Sequence, residues 1–229
     1  MRIASRFCGP PESGNGGYCA GLLAKALGGA VEVTLRRPPP LEQALSLVVA
    51  SARAELRHGG EVVAEARQTP LELEVPAAPS FARAAALSQH YVGHTKHHFP
   101  GCFVCGPARA AGDGLRIFPG AEHEGELVAA PFRPDESLSQ AGGIIPAEFI
   151  WAALDCVGYF ATAEPDYPVA LLGRMTAEVL GSVAVDEPCV VIGWSLGREG
   201  RKLRAGTALF GGDGRLRGRA QQTWISLAK

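Results

Sequence analysis

The chain has 229 residues, 47% hydrophobic and 20% charged, with a mean hydropathy of +0.08. Such a composition can bury a sizeable core and excludes disordered, collagen-like and coiled-coil chains, and the length suits one large domain or two fused copies of a small one. A formal net charge of -1 and a pI near 6.6 lack the basic face of nucleic-acid binders, so no nucleic-acid partner is expected and a ligand must be held by local contacts.

The opening MRIASRFCGPP lacks the apolar stretch of a secretory leader. The best membrane candidate, residues 144–163, contains Pro146, Glu148 and Asp155; each acid would cost about 2.5 to 3.5 kcal/mol near a bilayer centre, so the stretch reads as a buried helix. A cytoplasmic protein without a membrane partner is expected. Its six scattered cysteines are then free thiols, of which only Cys102 and Cys105 show a recognisable spacing.

In chain order, turn formers at Ser13 to Gly17 lead into an apolar helix ending at Gly28 and Gly29. AVEVTLRR alternates until the Pro38 to Pro40 break. Residues 45–56 and 59–75 predict two long strands around Gly59 and Gly60, with a helix as the alternative for the first. The Ala-, Pro- and His-rich stretch 76–100 predicts a crossover with a short helix around Phe81 to His90. GLRIF (114–118) and GELVAAPF (125–132) predict strands, Pro146 to Thr162 a helix, and residues 168–180, 189–196, 202–210 and 215–227 four more strands, the last two joined by GGDG.

Both halves thus follow one plan: a double glycine (Gly16 and Gly17, then Gly142 and Gly143), a helix, then antiparallel strands. The expected units are a shortened N-terminal half (1–78), a linker (79–100) and a C-terminal half (101–229). An apolar helix followed by long meandering strands implies an α+β fold with a curved antiparallel sheet around each helix.

Four features point to chemistry. Asp155 sits in FIWAALDCVGYFA, a helix apolar nearly all round, so its carboxylate is enclosed and either caps a local network or is poised as base or nucleophile. Glu148, seven residues earlier on the same helix face, is the reserve acid, although a first-turn carboxylate also simply complements the helix dipole. The glycine loops offer helix-start N–H groups to an oxyanion, which nominates Asn15, Gly16, Gly17 and Gly143. Gln222 falls on the apolar face of the last strand, opposite Arg215, Arg217 and Arg219, which read as a solvated face.

With this plan, CFVCGPARAAGDGLRIFPG and WAALDCVGYFA, the chain resembles the hot-dog superfamily in its double form, as in acyl-CoA thioesterases of the bacterial thioesterase II type. The resemblance implies a helix-borne acid at Asp155 that activates water, a C-terminal-strand glutamine at Gln222 that helps hold it, and a site shared between halves. Because the overlay places Gly29 opposite Asp155, one asymmetric site is expected. The family's threonine falls on Leu172, with Thr176 a poor match nearby.

The resemblance further implies an acyl-CoA or acyl-carrier thioester as substrate, coenzyme A only as part of it, no other cofactor, and a homodimer or higher homo-oligomer. REGRKLR, residues 198–204, could meet the coenzyme phosphates. The alternative is a non-catalytic module that binds acyl-CoA or a hydrophobic ligand. HTKHHFPGCFVCG could supply a Cys-Cys-His zinc site from His94, His97, His98, Cys102 and Cys105, but a single CxxC closes no tetrahedron, so no metal is expected. HFPG, which holds the histidine of hot-dog dehydratases, stands fifty residues before Glu148 and is read as coincidence.

Overall fold

The computed structural model describes residues 1–123, 127–139, 142–162 and 167–227. The first helix, α1, runs Gly16–Ala24; its cap, Asn15, accepts the Tyr18 N–H at 2.9 Å through its side-chain oxygen. The chain leaves the helix through Gly28 and Gly29, both at φ +70°, where an L side chain would be strained.

Four strands follow: β1 Val31–Leu35, β2 Ser46–Ala50, β3 Arg53–His58 and β4 Glu61–Gln68. The predicted long strand 45–56 is therefore a hairpin. Ser51, at φ +54°, reverses the chain and pairs Ser46 with Arg57 and Ala50 with Arg53. Strand β4 stops at Gln68, just before Pro70, which has no N–H for the ladder, so the second predicted strand ends short of residue 75.

Helix α2, Phe81–Leu87, is capped by Ser80 Oγ and packs on β5, Val128–Phe132. GLRIF is no strand. Arg116 at φ +52° breaks the run, and Leu115 and Ile117 donate their N–H groups to Phe103 and Val104 carbonyls, so the segment lies against CFVC. The start of GELVAAPF, residues 125–126, lies outside the described residues. Helix α3, Ala147–Thr162, is buried from Glu148 to Ala161, and β6 Ala170–Val179, β7 Cys189–Glu199, β8 Lys202–Phe210 and β9 Leu216–Ser226 complete the chain.

The nine strands among the described residues form one antiparallel sheet, ordered β2-β3-β4-β1-β6-β9-β8-β7-β5, with β1 paired to β6 at the centre. About that junction the order is symmetric: β1, β4, β3, β2 on one side match β6, β9, β8, β7 on the other. Among the described residues only the second set carries a strand preceding its helix, β5, so β2 remains an open edge there. Helix α3 packs on β6 to β9, and α1 packs on β1 and on α3. No helix among the described residues is long and apolar enough to cross a membrane.

Of the three arginines expected on a solvated face, Arg215 is exposed, but Arg217 and Arg219 are half-buried and paired. Arg219 bonds Glu178 and the Leu71 and Leu73 carbonyls, and Arg217 bonds Glu187 and Asp213. Glu187 also accepts the Ala184 and Gly212 N–H groups at 2.9 and 3.0 Å, which ties the approach to β7 to the β8–β9 turn. Burial raises its carboxyl, but these N–H donors and Arg217 outweigh it and hold the pKa below the usual carboxylate range. A depressed carboxyl contributes stability that is present above its unfolded pKa and lost as pH falls through the folded one. Glu187→Gln is therefore expected to cost about 1 to 3 kcal/mol at neutral pH, with the difference from wild type shrinking in acid, as read by urea unfolding at both.

Candidate active site

Helices α1 and α3 cross antiparallel at close range because Gly17 and Gly21, one helical turn apart, present no side chain at the contact. A Cβ on Gly17 would lie 2.5 Å from Asp155 Cβ and 2.7 Å from the Trp151 carbonyl oxygen; one on Gly21 would lie 2.7 Å from Glu148 Cα. The crossing brings Asp155, in the middle of α3, to the start of α1. Asp155 Oδ2 accepts the Gly17 N–H at 2.9 Å and an Asn15 Nδ2 hydrogen at 2.8 Å, while its buried Oδ1 has no partner among the described residues. Asn15 thus does two jobs, capping α1 with its oxygen and holding Asp155 with its nitrogen.

Asp155 is only 1% exposed. Burial pushes its carboxyl up to about 7, opposed by the Gly17 N–H and by Asn15 and assisted by Cys102. Near neutrality such a group exists in both protonation states, the condition for general acid–base work.

Asp155, Asn15 and Gly16 line a cleft of about 550 Å³. Its apolar lining includes Leu35, Phe160, Leu172 and Trp224, and the exposed basic residues Arg36, Arg37 and Lys96 also border it. The REGRKLR turn, by contrast, joins β7 to β8 and none of its residues lines this cleft. Arg36 and Arg37 were missed in the sequence because RRPPP reads as the frayed end of a strand.

The other nominated residues scatter. Gly17 gives its N–H to Asp155, whereas among the described residues the Gly16 N–H meets no acceptor. Gln222 is buried, but its amide is engaged: Nε2 donates to the Leu154 carbonyl at 2.5 Å and lies 3.3 Å from Thr207 Oγ1, and Oε1 accepts Trp224 Nε1 at 2.7 Å. It does not line the cleft.

Gly143 is exposed and away from the cleft, its carbonyl accepting the Val185 N–H. Glu148 is buried beside Gly21, its Oε1 3.5 Å from Lys25 Nζ, and it too stands outside the cleft lining. Leu172 occupies the cleft wall where the resemblance calls for threonine, and Thr176 borders a separate groove with Glu32 and Arg174. His98, by contrast, borders the cleft; it is exposed, with Nε2 2.6 Å from the Tyr167 carbonyl oxygen.

The sequence also left Cys156 as one thiol among six. Next to Asp155 on α3, it comes within 3.7 Å of Cys102, sulfur to sulfur, and Cys102, Cys105 and Cys156 together border the cleft.

No family model and no curated protein matches the sequence. Solved structures do. The chain is similar to the tesB protein of Mycobacterium avium subs paratuberculosis (TM-score 0.63, 12% identity, 96% of this chain and 89% of that one). It is similar to acyl-CoA thioesterase II TesB2 of Mycobacterium marinum (TM-score 0.61, 11% identity, 93% and 89%). A conserved protein of unknown function with hot dog fold from Alicyclobacillus acidocaldarius matches at a TM-score of 0.60 with 13% identity, over 100% and 92% of the two chains. With four antiparallel strands on each side of the β1–β6 junction in matching order, β5 added to the second set, and likenesses spanning nearly the whole chain, the fold is a double hot-dog.

Proposed function

We propose that this protein hydrolyses an acyl thioester at Asp155. The observation that carries the reading is a buried carboxylate on a cleft wall with one oxygen fixed by Gly17 and Asn15 and the other unpartnered. Such an oxygen is placed to accept a proton from water as that water attacks the thioester carbonyl. The C–S bond then breaks, and acid and thiol leave. The Gly16 N–H, at the positive end of α1, is the donor left for the developing oxyanion. Gln222, bonded to the carbonyl of the residue before Asp155, acts as a positioning residue for α3 and not as a holder of water.

In this reading each half is a hot-dog unit whose sheet wraps α1 or α3, and the site is shared, Asn15 and Gly16 from the first unit and Asp155 from the second. The acyl chain lies among Leu172, Phe160 and Trp224, and Arg36 and Arg37, which pair with Glu65 and Glu61, border the cleft with Lys96 and can exchange those partners for a coenzyme A or carrier phosphate. The similarity in fold to proteins named as thioesterases supports the same class. A second reading, binding without turnover, is favoured by Leu172 in place of threonine and by the engaged Gln222 amide.

Product-resolved chromatography decides between them. Wild type is incubated with acyl-CoA thioesters from acetyl to palmitoyl plus phenylacetyl. Free coenzyme A and acid are expected; intact thioester recovered in the protein-bound fraction would instead establish the binding module.

For assembly, we propose pairing through β2, the open edge, where Leu47, Val48 and Val49 are 39%, 47% and 50% exposed. Val48→Lys is expected to convert a dimer to a monomer in light scattering; a dimer that survives the change sinks this edge as the interface.

A further inference from the structure

We propose that Cys102, Cys105 and Cys156 bind one zinc ion whose fourth coordination position opens on the cleft beside Asp155. The three buried sulfurs all lie within 4.8 Å of one another, and those of Cys102 and Cys156 are 3.7 Å apart. Tetrahedral zinc with Zn–S bonds of about 2.3 Å places its ligand sulfurs about 3.8 Å apart, so the trio needs only small adjustment to close on a metal. All three are free thiols, and soft sulfur ligands select zinc over the hard divalent cations.

The turn carrying two of them is built like a metal-binding knuckle. Cys102 donates its N–H to the Phe99 carbonyl, and the Gly106 N–H closes back on the Cys102 carbonyl at 2.9 Å. A Cβ on Gly106 would lie 2.5 Å from the carbonyl oxygens of both Pro100 and Cys102, so only glycine fits there. The same turn holds the Cys102 and Cys105 sulfurs within 4.8 Å of each other.

The third sulfur arrives from α3, with Asn15 Nδ2 3.9 Å from it. It supplies the ligand whose absence made the lone CxxC unpersuasive in the sequence. Three protein ligands at the wall of a cleft leave a position for water or a ligand atom, the arrangement that distinguishes reactive zinc sites from closed structural ones. The inference does not rest on the thioester reading: zinc binds or fails to bind whether or not any thioester is turned over.

The test is metal binding by the full chain, purified with a reductant and without chelator, loaded with Zn²⁺ or Co²⁺ and desalted. One zinc per chain is expected by mass spectrometry, and the cobalt form should show thiolate-to-metal charge transfer with the visible bands of a tetrahedral site. Cys156→Ala and Cys102→Ala should weaken binding by about 100-fold or more while Cys189→Ala leaves it intact, with circular dichroism reporting that each is folded.

Folded, reduced wild type that retains no metal overturns the proposal. So does a cobalt spectrum without thiolate charge transfer, or affinity unchanged by Cys156→Ala in a folded variant. Should the alanine variants unfold, the wild-type cobalt spectrum decides alone.

Discussion

Replacing Asp155 by asparagine is expected to lower kcat for thioester hydrolysis by about 10²- to 10⁴-fold with little change in KM, because the change removes a proton acceptor and leaves the cleft walls in place. The asparagine oxygen can still accept from Gly17 and Asn15 as the carboxylate Oδ2 does, so the α1–α3 crossing is retained. Burial already disfavours the ionised carboxylate, and a neutral amide escapes that penalty. The variant should therefore melt no lower than wild type, which separates lost chemistry from lost fold. Full activity in Asp155→Asn would remove this residue from the mechanism. Acyl-CoA binding without turnover in both proteins would shift the reading to the ligand-binding module.

The largest stability effect is expected at the helix crossing. Gly17→Ala inserts a methyl 2.5 Å from Asp155 Cβ and 2.7 Å from the Trp151 oxygen, atoms of an adjoining buried helix that cannot swing aside. Overpacking of this kind costs about 1 to 3 kcal/mol and more where backbone must shift, and here the shift also pulls the Gly17 N–H away from Asp155. Loss of stability in urea unfolding and loss of turnover should therefore appear together. Gly16→Ala is the milder comparison: its added Cβ meets the Leu172 and Leu35 side-chain ends at 3.0 Å, which can rotate, and Leu172 Cβ at 3.2 Å, a contact relieved by a shift of a few tenths of an ångström. A Gly17→Ala variant as stable as Gly16→Ala would mean that α1 and α3 are not tightly packed in solution.

Much of this molecule was legible from one dimension. The alternation of β9 set Ala220, Gln222 and Trp224 on the buried face, and GGDG marked the β8–β9 turn, because both signals are local: strand period and turn chemistry act over a few residues. The apolar run Pro146 to Thr162 had to be an enclosed helix, since no water-facing stripe exists in it. Asp155 followed from the same fact, as an acid in such a helix must meet a partner. Its partner also came from the sequence in part, through the glycines that open α1.

Errors arose where a local preference met a backbone or tertiary constraint. Positive φ at Ser51 and Arg116, in residue types that give no warning of it, divided one predicted strand into a hairpin and abolished another. Gln222 was correctly buried, yet which groups its amide would meet depended on how β9 lies against α3 and β8. Gly143 resembled Gly17 in composition, but the fold leaves it exposed, its carbonyl bonded to the Val185 N–H ahead of β7, and outside the cleft lining.

The sequence by itself determined the order of elements, the enclosure of α3 and the identity of its acid, because hydrophobic period and buried charge are properties of short segments. Tertiary structure decided what surrounds that acid. Asn15 lies 140 residues from Asp155, and Cys102 lies 54 from Cys156. Pairs so remote are joined only when two helices cross and two half-sheets fuse at β1 and β6, a packing outcome that no local pattern encodes.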